Sequence, residues 1–263
     1  MLISTNVKII VCSLILGAFF LLMLISMPGY AQEPTTPFPT SVYVDYPLMQ
    51  ESAGITSFFL RCVAWSPDGK TLAVGTSTGL RLYDEDFQLI ADLTGQYAVT
   101  SVSWSPDGKY VATSALDHTI WIWDAENFAA VRVFADHETP VKQVIWNPNG
   151  EYLASGDILG WVFIWDIATG QVIREIPPLK GKSTEVYGLD WHPNGILLAY
   201  NQGFDYFVWD FLSDQIIWHK QAHRDTITAL AWSPDGEWLV TSDGATPVFN
   251  QDGSGFILLI SFR

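Results

Sequence analysis

One short tract recurs five times along this chain, and its recurrence constrains the fold more than any other feature of the sequence. Each copy runs tryptophan, a polar residue, proline, Asp or Asn, and glycine, as in Trp65-Ser66-Pro67-Asp68-Gly69. Proline fixes φ, the Asp or Asn side chain can close a turn, and glycine accepts a positive φ, so each copy predicts a tight turn after a strand. The tryptophans lie 39 to 45 residues apart, a period typical of stacked or radial repeat units. The copies begin at Trp65, Trp104, Trp146, Trp191 and Trp232.

Further strands are predicted around each turn. An apolar strand precedes the turn and a second strand follows it, and in four units a third strand then ends in an aromatic residue followed by Asp. A fourth strand closes the unit. Short strands with glycine-rich turns and no helical periodicity predict an all-β fold of four-stranded antiparallel blades, which is a β-propeller. The repeated acidic residues are Asp84, Asp124, Asp166 and Asp210.

On these residues the chain resembles the WD-repeat β-propeller family over about residues 55–263. Some units also resemble Tol-type periplasmic propeller repeats, above all the fifth, where the insertion ATPVFNQDGSG lengthens a turn. The WD resemblance implies a hydrogen-bonded tetrad of His, Ser or Thr, Asp and Trp within a blade, which we expect to be incomplete in every unit. The second unit has Ser114, Asp117 and Trp123 but Gly95 at the His position, the third has His137, Ser155 and Trp165 but Leu159 at the Asp position, and the fifth has His223 and Ser242 without a Trp-Asp pair.

The length of the chain predicts about five blades, with units near 55–94, 95–135, 136–179, 180–221 and 222–263. A Pro-rich linker is predicted over 32–54, and it contains a short strand at Ser41–Tyr46. We expect this strand to pair with Phe256–Ser261 as the missing outer strand of the fifth unit and so to close the ring. The alternative is an open or truncated ring, whose unpaired edges could pair with another chain.

The first 31 residues have the pattern of an export signal. Lys8 precedes the uncharged run Ile9–Met27, and the small-residue site Gly29-Tyr30-Ala31 predicts cleavage before Gln32. The run is also long enough to span a bilayer, so an uncleaved signal anchor is the alternative. Either interpretation places the propeller outside the cytoplasm, secreted or periplasmic in the first case and membrane-anchored in the second. A membrane contact is expected only through this segment.

Charge and cysteine content exclude two classes of protein. Acidic residues number 28 and basic residues 13, for a net charge of −15, and the bases are scattered. Nucleic-acid binding needs clustered Lys and Arg, so no nucleic-acid partner is expected. Cys12 lies in the apolar segment and Cys62 in the first unit, so a disulfide framework is excluded as well.

The sequence does not single out a catalytic constellation. None of the five histidines has a partner at metal-ligand spacing, and most aspartates are explained by the repeat. We therefore expect no catalytic residue, no metal and no cofactor. An extracytoplasmic hydrolase or carbohydrate-binding propeller using Asp157, Asp190 or Asp205 remains an alternative, as does a component of an envelope complex.

The leading prediction is a non-catalytic scaffold that binds other proteins. The connections from the second to the third strand and from the fourth strand to the next unit share one end of each blade, and binding residues concentrate on such loops. Trp161 and Tyr206 are the best candidate anchors, although both could instead pack between blades. The candidate partner-binding face comprises Arg61, Asp117, His118, Asp157, Trp161, Asp205 and Tyr206.

Overall fold

The structure is a computed structural model that describes residues 61–180, 184–221, 223 and 226–243, together with the backbone of 257–261. Within these ranges the chain forms β-strands and turns and contains no helix. No helix long and apolar enough to cross a membrane is found in the part of the chain that is described. The predicted export segment, the linker and the strand at 41–46 lie outside the described residues.

The strands form five antiparallel sheets in chain order, as the repeat predicts. The first four sheets have four strands each, and the fifth has three within the described ranges. The strands are β1 Cys62–Trp65, β2 Leu72–Gly75, β3 Gly79–Tyr83 and β4 Leu89–Thr94; β5 Val99–Trp104, β6 Tyr110–Ala115, β7 Ile120–Asp124 and β8 Ala129–Phe134; β9 Val141–Trp146, β10 Tyr152–Asp157, β11 Val162–Asp166 and β12 Val172–Ile176; β13 Leu189–Trp191, β14 Leu197–Gln202, β15 Asp205–Asp210 and β16 Gln215–Gln221; β17 Ile227–Trp232, β18 Trp238–Asp243 and β19 Ile257–Ser261.

The five tracts form the turns between the first and second strands of each sheet. In the first sheet the Ser66 hydroxyl donates to Asp68 Oδ1 at 2.6 Å and accepts from the Thr71 amide at 2.9 Å. The Gly69 amide donates to the Ser66 carbonyl at 2.9 Å, with φ of +74° at Gly69. The glycines of the other four tracts have φ between +72° and +78°, a conformation that strongly favours glycine. The turn prediction is therefore confirmed.

The aspartates of the aromatic-Asp pairs shape the turns between the third and fourth strands. Asp124 Oδ1 accepts the amides of Glu126 and Asn127 at 2.9 and 2.7 Å, and Asp210 Oδ1 accepts those of Leu212 and Ser213 at 2.8 and 3.2 Å. Backbone hydrogen bonds of this kind lower the pKa of Asp124, Asp166 and Asp210. These repeated aspartates thus serve turn formation.

The core lies between the sheets. The inner strand of each sheet contacts that of the next, which joins β1 to β5, β5 to β9, β9 to β13 and β13 to β17. Four apolar clusters fill the four interfaces; the second, for example, packs Ile120 and Phe134 against Trp146 and Trp165. No strand of the fifth sheet makes a comparable contact with the first sheet among the described residues. Ring closure through residues 41–46 stays a prediction.

The turn tryptophans pack toward the preceding sheet. The Trp104 indole donates to the Ala64 carbonyl at 3.0 Å, and Trp146 stacks on Tyr110 with ring centroids 6.5 Å apart. Trp65 has no preceding sheet within the described ranges and is 41% exposed, whereas Trp146, Trp191 and Trp232 are buried. The tryptophan repeat therefore serves contact between neighbouring sheets.

Candidate functional site

Each sheet has two ends. We name the end with the tryptophan turns and Asp turns the turn surface, and the end with the other connections the loop surface. Of the seven residues predicted to bind a partner, four lie half-buried on the loop surface. Three are buried instead: Asp157, Asp205 and Tyr206 are 2%, 1% and 0% exposed. The half-buried four are Arg61, Asp117, His118 and Trp161.

Asp157 completes a tetrad in the third sheet. Its Oδ2 lies 3.1 Å from His137 Nδ1, and His137 Nε2 lies 2.7 Å from the Ser155 hydroxyl, which accepts from the Trp165 indole at 2.8 Å. The expectation that Leu159 occupies the Asp position was wrong. Asp157 lies at the end of β10, two residues after Ser155, and its Oδ1 accepts the Leu159 amide at 2.9 Å.

The environment of Asp157 explains its charge. Burial alone would raise the pKa of this carboxyl, but the hydrogen bonds that it accepts from His137 and from the Trp161 amide outweigh burial, so the pKa lies below its usual value. Trp161 follows directly in the loop and packs edge-to-face on Phe163, with centroids 6.0 Å apart. The predicted docking residue Asp157 thus orders the loop that carries Trp161.

The second sheet contains a variant of the same network. Gln96 stands in for the histidine, because its Oε1 accepts from the Thr113 hydroxyl at 2.5 Å. The Trp123 indole also donates to that hydroxyl, at 2.8 Å. The sequence assignment of Gly95 and Ser114 to this network was therefore one residue off at both positions. Ser114 lies on the opposite face of β6, 3.0 Å from the Thr100 hydroxyl.

The fifth sheet has the histidine, the hydroxyl residue and the aspartate of a tetrad. His223 Nε2 lies 2.7 Å from the Thr241 hydroxyl, and His223 Nδ1 lies 3.2 Å from Asp243 Oδ2. Thr241, not Ser242, is the hydroxyl residue, again a shift of one position. In the third sheet the tetrad tryptophan, Trp165, pairs with Leu153. The equivalent pair in the fifth sheet is Ile260 with Leu239, so isoleucine stands at the tryptophan position.

The fourth sheet replaces the tetrad with two buried amides. Asn201 Nδ2 donates to the Ile227 carbonyl of the fifth sheet at 3.2 Å, and Gln202 Nε2 donates to the Gly160 carbonyl beside the third sheet at 2.8 Å. Tyr200 occupies the position of Ser155, and its burial raises the pKa of its phenol well above the usual value. No tetrad is therefore formed by the described residues of the fourth unit.

The two remaining residues of the predicted partner-binding face pack within the fourth sheet. Asp205 Oδ1 lies 2.9 Å from His219 Nε2, and His219 stacks on Phe207 at 4.3 Å between centroids. The Tyr206 hydroxyl accepts from the Trp218 indole at 2.9 Å, while burial raises the pKa of Tyr206. Burial thus favours packing rather than docking for Tyr206, and a partner contact there stays a prediction.

Asp117 and His118 form a structured loop beside an exposed tyrosine. Asp117 Oδ1 accepts from the Thr119 hydroxyl at 2.6 Å, and its Oδ2 accepts the Tyr97 amide at 2.9 Å. His118 adopts φ of +72°, an uncommon conformation for a residue with a side chain. Tyr97 is 67% exposed, so this loop offers an aromatic ring that the sequence analysis did not select.

A repeated bulge brings further side chains to the loop surface. In β5, β9 and β17 one extra residue interrupts the pairing with the neighbouring strand: Thr100, Lys142 and Thr228. Each lies four residues before its turn tryptophan, and Arg61 and Tyr187 hold the same position in the first and fourth units. All five are half-buried. Bulges re-aim side chains and are common beside functional sites. Only Arg61 was predicted, although the constant offset from tryptophan could have identified all five.

The residues at this position in the third and fourth units contact one another. Lys142 Nζ lies 5.5 Å from the centroid of the Tyr187 ring, within range of a cation–π interaction. The Tyr187 hydroxyl donates to Glu185, and burial together with this carboxylate raises the pKa of Tyr187 to about 12. A cation, an aromatic ring and a carboxylate are therefore combined at one place on the loop surface.

The residues of the hydrolase alternative lie in separate surroundings. Asp157 belongs to the tetrad of the third sheet, Asp205 binds His219, and Asp190 Oδ2 accepts the Trp232 amide at 2.7 Å between the fourth and fifth sheets. Each of these carboxylates stabilises the fold locally. Among the described residues, no group of three or more His, Cys, Asp or Glu is placed to hold a metal ion.

One short motif has the spacing of a hydrolase nucleophile. Residues 75–79 read Gly-Thr-Ser-Thr-Gly, which matches the pattern GxSxG. A nucleophile elbow requires a strand-to-helix turn. Here the segment joins the antiparallel strands β2 and β3, and the Thr76 hydroxyl donates to the Gly79 carbonyl at 3.0 Å. The motif is thus a hairpin connection.

Comparison with known proteins agrees with this architecture. The family model for the WD domain, G-beta repeat, matches residues 52–84, 87–124, 128–166 and 215–250, more than half of the chain. The chain belongs to the WD40-repeat family. None of these matches covers residues 167–214, which include most of the fourth unit with its two amides.

Similar proteins include two fizzy-related proteins and a solved propeller. Protein FIZZY-RELATED 3 of Arabidopsis thaliana is 28% identical over 81% of this WD40 chain and 42% of its own length. Meiotic fizzy-related protein 1 of Schizosaccharomyces pombe is 28% identical over 82% of this chain and 50% of its own length. The chain thus spans half or less of these relatives. The β-propeller domain of Myceliophthora thermophila Cps50 (Swd1) has a TM-score of 0.65 at 21% identity, covering 72% of this chain and 63% of that domain, and shows the fold alone.

Proposed function

We propose that this WD40 protein is a non-catalytic scaffold that binds a protein partner on its loop surface. The observation that carries the proposal is the position four residues before each turn tryptophan, which is a bulge in three units and carries a half-buried side chain in all five. These residues are chemically varied, with the cations Arg61 and Lys142, the aromatic Tyr187, and two threonines. When the side chain varies in chemistry at a position that the repeat fixes, a role in recognising a partner is favoured over a role in maintaining the fold.

The surroundings of these positions fit a protein interface. Tyr97 and Leu159 are 67% and 52% exposed on the adjoining loops, and Trp161 is half-buried beside them. Tyr, Trp and Arg are the residues most enriched among binding hot spots. Backbone hydrogen bonds to Asp117 and Asp157 order these loops before a partner arrives, which reduces the entropy lost on binding.

The proposal is tested by comparing matched surface variants in affinity capture from the source organism. We expect Lys142→Ala combined with Tyr187→Ala to lose the captured partner. Lys109→Ala combined with Glu126→Ala, on the turn surface, should retain it. All variants should unfold with the cooperativity of the wild type. Equal capture by both double variants would refute docking on the loop surface.

We further propose that the protein works outside the cytoplasm, on the strength of the amino-terminal sequence alone. Lys8, the apolar run Ile9–Met27 and the small-residue site before Gln32 support this. Amino-terminal sequencing of protein from the extracytoplasmic fraction should begin at Gln32 if the signal is cleaved. An intact amino terminus in the membrane fraction would indicate the anchor, and an intact soluble cytoplasmic protein would overturn export.

A further inference from the structure

The interface between the first and second sheets is incompletely filled on the turn surface. An open cleft of about 380 Å³ lies there, between the first tryptophan turn and the second sheet. The cleft at the equivalent place between the second and third sheets measures about 190 Å³. Pockets that hold small ligands typically have volumes of about 300–1,000 Å³, so the first cleft is large enough and the second is not.

Two positions of the repeat supply the side chains at this place. One residue lies six positions after the turn tryptophan of one sheet, and the other follows the aromatic-Asp pair of the next sheet. The amide of the second residue donates at 2.9 Å to an equivalent backbone carbonyl in the second, third and fourth units, so its backbone is held alike. The pairs are Tyr110 with Ile167, Tyr152 with Phe211, and Thr71 with Ala125 at the large cleft.

Side-chain size at these two positions explains the open volume. Between the third and fourth sheets the rings of Tyr152 and Phe211 lie 4.9 Å apart and fill the place. Thr71 and Ala125 line the large cleft, and neither side chain is long enough to cross it. The first interface thus leaves open a volume that large side chains occupy further along the chain.

Aromatic rings and carboxylates line the large cleft. Trp104 and Tyr110 are half-buried along it. Four carboxylates and one ammonium group also line it, and Asp107 already pairs with that ammonium group, on Lys109, at 3.3 Å. The cleft therefore has a net negative charge beside aromatic rings. The charged residues are Asp68, Asp107, Lys109, Asp124 and Glu126.

This lining selects an organic cation. The faces of aromatic rings attract ammonium and guanidinium groups, and carboxylates form strong hydrogen bonds with both. The hydrogen bond from the Ser66 hydroxyl lowers the pKa of Asp68, so this carboxylate is ionised at neutral pH. A metal ion is poorly suited, because among the described residues no three acidic, His or Cys groups are placed to hold one.

We propose that the cleft between the first and second sheets binds a small organic cation, an ammonium or guanidinium group on an apolar stem. The stem lies against Trp104 and Tyr110, in the volume that large side chains fill at other interfaces. The charge faces Asp68 and Asp124, because Asp107 is already paired. The cation is either a free small molecule or the side chain of a Lys or Arg in another protein, and the probes below distinguish these two sources.

Saturation-transfer NMR of the full chain tests the site, because it detects ligands that bind weakly. The probes are agmatine, an acetylated Gly-Arg-Gly amide, and the same peptide with the uncharged analogue citrulline in place of arginine. We expect the arginine peptide to give a signal and the citrulline peptide to give none. An equal affinity for agmatine indicates a free cation, whereas binding of the arginine peptide without agmatine indicates a protein side chain.

A filling variant tests the position of the site without changing its charge. Ala125→Ile introduces the side chain that Ile167 has at the equivalent place. We expect it to raise the dissociation constant of the arginine peptide about tenfold or more, since the stem loses its place. Its melting temperature should equal or exceed that of the wild type, which shows that the fold is intact.

A charge variant gives a second test that does not depend on filling the cleft. Asp68→Asn should keep the turn, because Asn149 Oδ1 accepts the equivalent amide in the third unit at 2.8 Å. We expect it to raise the dissociation constant about threefold to fivefold, as loss of one exposed charge pair does. Asp235→Asn makes the same change in the fifth unit and, as the matched control, should bind the arginine peptide as the wild type does.

Three results would overturn the proposal. They are equal signals from the arginine and citrulline peptides, no signal from either cation at about 5 mM, and an unchanged affinity in Ala125→Ile, which would indicate general attraction to an acidic chain. Lys142→Ala combined with Tyr187→Ala changes the loop surface and should leave binding of the arginine peptide unchanged. This proposal and partner binding on the loop surface therefore fail separately.

Discussion

Removal of one hydroxyl, by Ser155→Ala, tests the tetrad of the third sheet most directly. The Trp165 indole donates to this hydroxyl, and with Asp157 accepting from His137 Nδ1, the hydroxyl in turn donates to His137 Nε2. The side chains involved are at most 4% exposed. Alanine would leave one buried donor and one buried acceptor without a partner.

The magnitude follows from these two losses. Each unsatisfied buried group costs about 1–3 kcal/mol, so we expect the free energy of unfolding to fall by about 2–6 kcal/mol. That is a large fraction of the about 5–15 kcal/mol that holds a typical domain together. For a chain of this length the melting temperature should fall by about 4–24 °C. Urea unfolding of the full chain, followed by tryptophan fluorescence and circular dichroism, measures both quantities.

The control is Ser155→Thr, because Thr113 and Thr241 hold the equivalent place in the second and fifth sheets. Threonine keeps the hydroxyl and adds only a buried methyl group, so it should cost about 1 kcal/mol, less than alanine does. A value for Ser155→Ala within about 0.5 kcal/mol of the wild type would refute the reasoning, since surface substitutions reach that size. Equal losses for Ala and Thr would assign the effect to packing.

Three further predictions concern pH, a turn and an assignment. Because the pKa of Asp157 is lower in the folded than in the unfolded chain, where it is near 3.8, its carboxylate stabilises the fold above that pH, and this stability is lost as the pH falls through the folded pKa. Asp157→Asn should therefore make the melting temperature fall less steeply as the solution is acidified, on the acid limb of a plot of melting temperature against pH. Gly236→Ala should lower the free energy of unfolding, measured in urea, by about 1–2 kcal/mol because the φ of +74° is unfavourable for alanine. The loss should be larger still because the added Cβ would lie 2.2 Å from His192 Nε2. Thr113→Val should destabilise by about 2 kcal/mol and Ser114→Ala by about 1 kcal/mol in the same assay, because only Thr113 binds the Trp123 indole.

Each of these has a matched comparison. Asp157→Asn should have the same acid limb as the wild type if the His137 contact is unimportant. Gly69→Ala shares the φ of +74° but has open space around its Cβ, so it isolates the backbone cost from the His192 contact. A larger loss for Ser114→Ala than for Thr113→Val would restore the assignment made from sequence.

Local chemistry made the five turns and the sheet order predictable. Proline, Asp or Asn, and glycine act within four residues, so Gly69 and its equivalents could be assigned without knowing any partner strand. The tetrad was harder, because adjacent strand residues such as Thr113 and Ser114 face opposite sides, and only cross-strand register decides between them. The bulge at Lys142 inserts one extra residue into β9, which is visible only from the pairing of β9 with β10.

Burial of the predicted docking residues has a similar cause. Asp205 and Tyr206 were assigned to a loop, but both lie within β15 and pair with β16. His219 and Trp218, across that pairing, cover them. Such long-range partners, 12 and 14 residues away in the chain, leave no local signal in the sequence.

The two amides of the fourth sheet differ from a tetrad in where their bonds end. A tetrad bonds largely within its own unit, whereas Asn201 reaches the fifth unit and Gln202 reaches the loop of the third. Units stabilised only from within could open one at a time. Here the fourth unit cannot open without releasing hydrogen bonds to both neighbours, so the third, fourth and fifth units should exchange their amide protons as a single cooperative block.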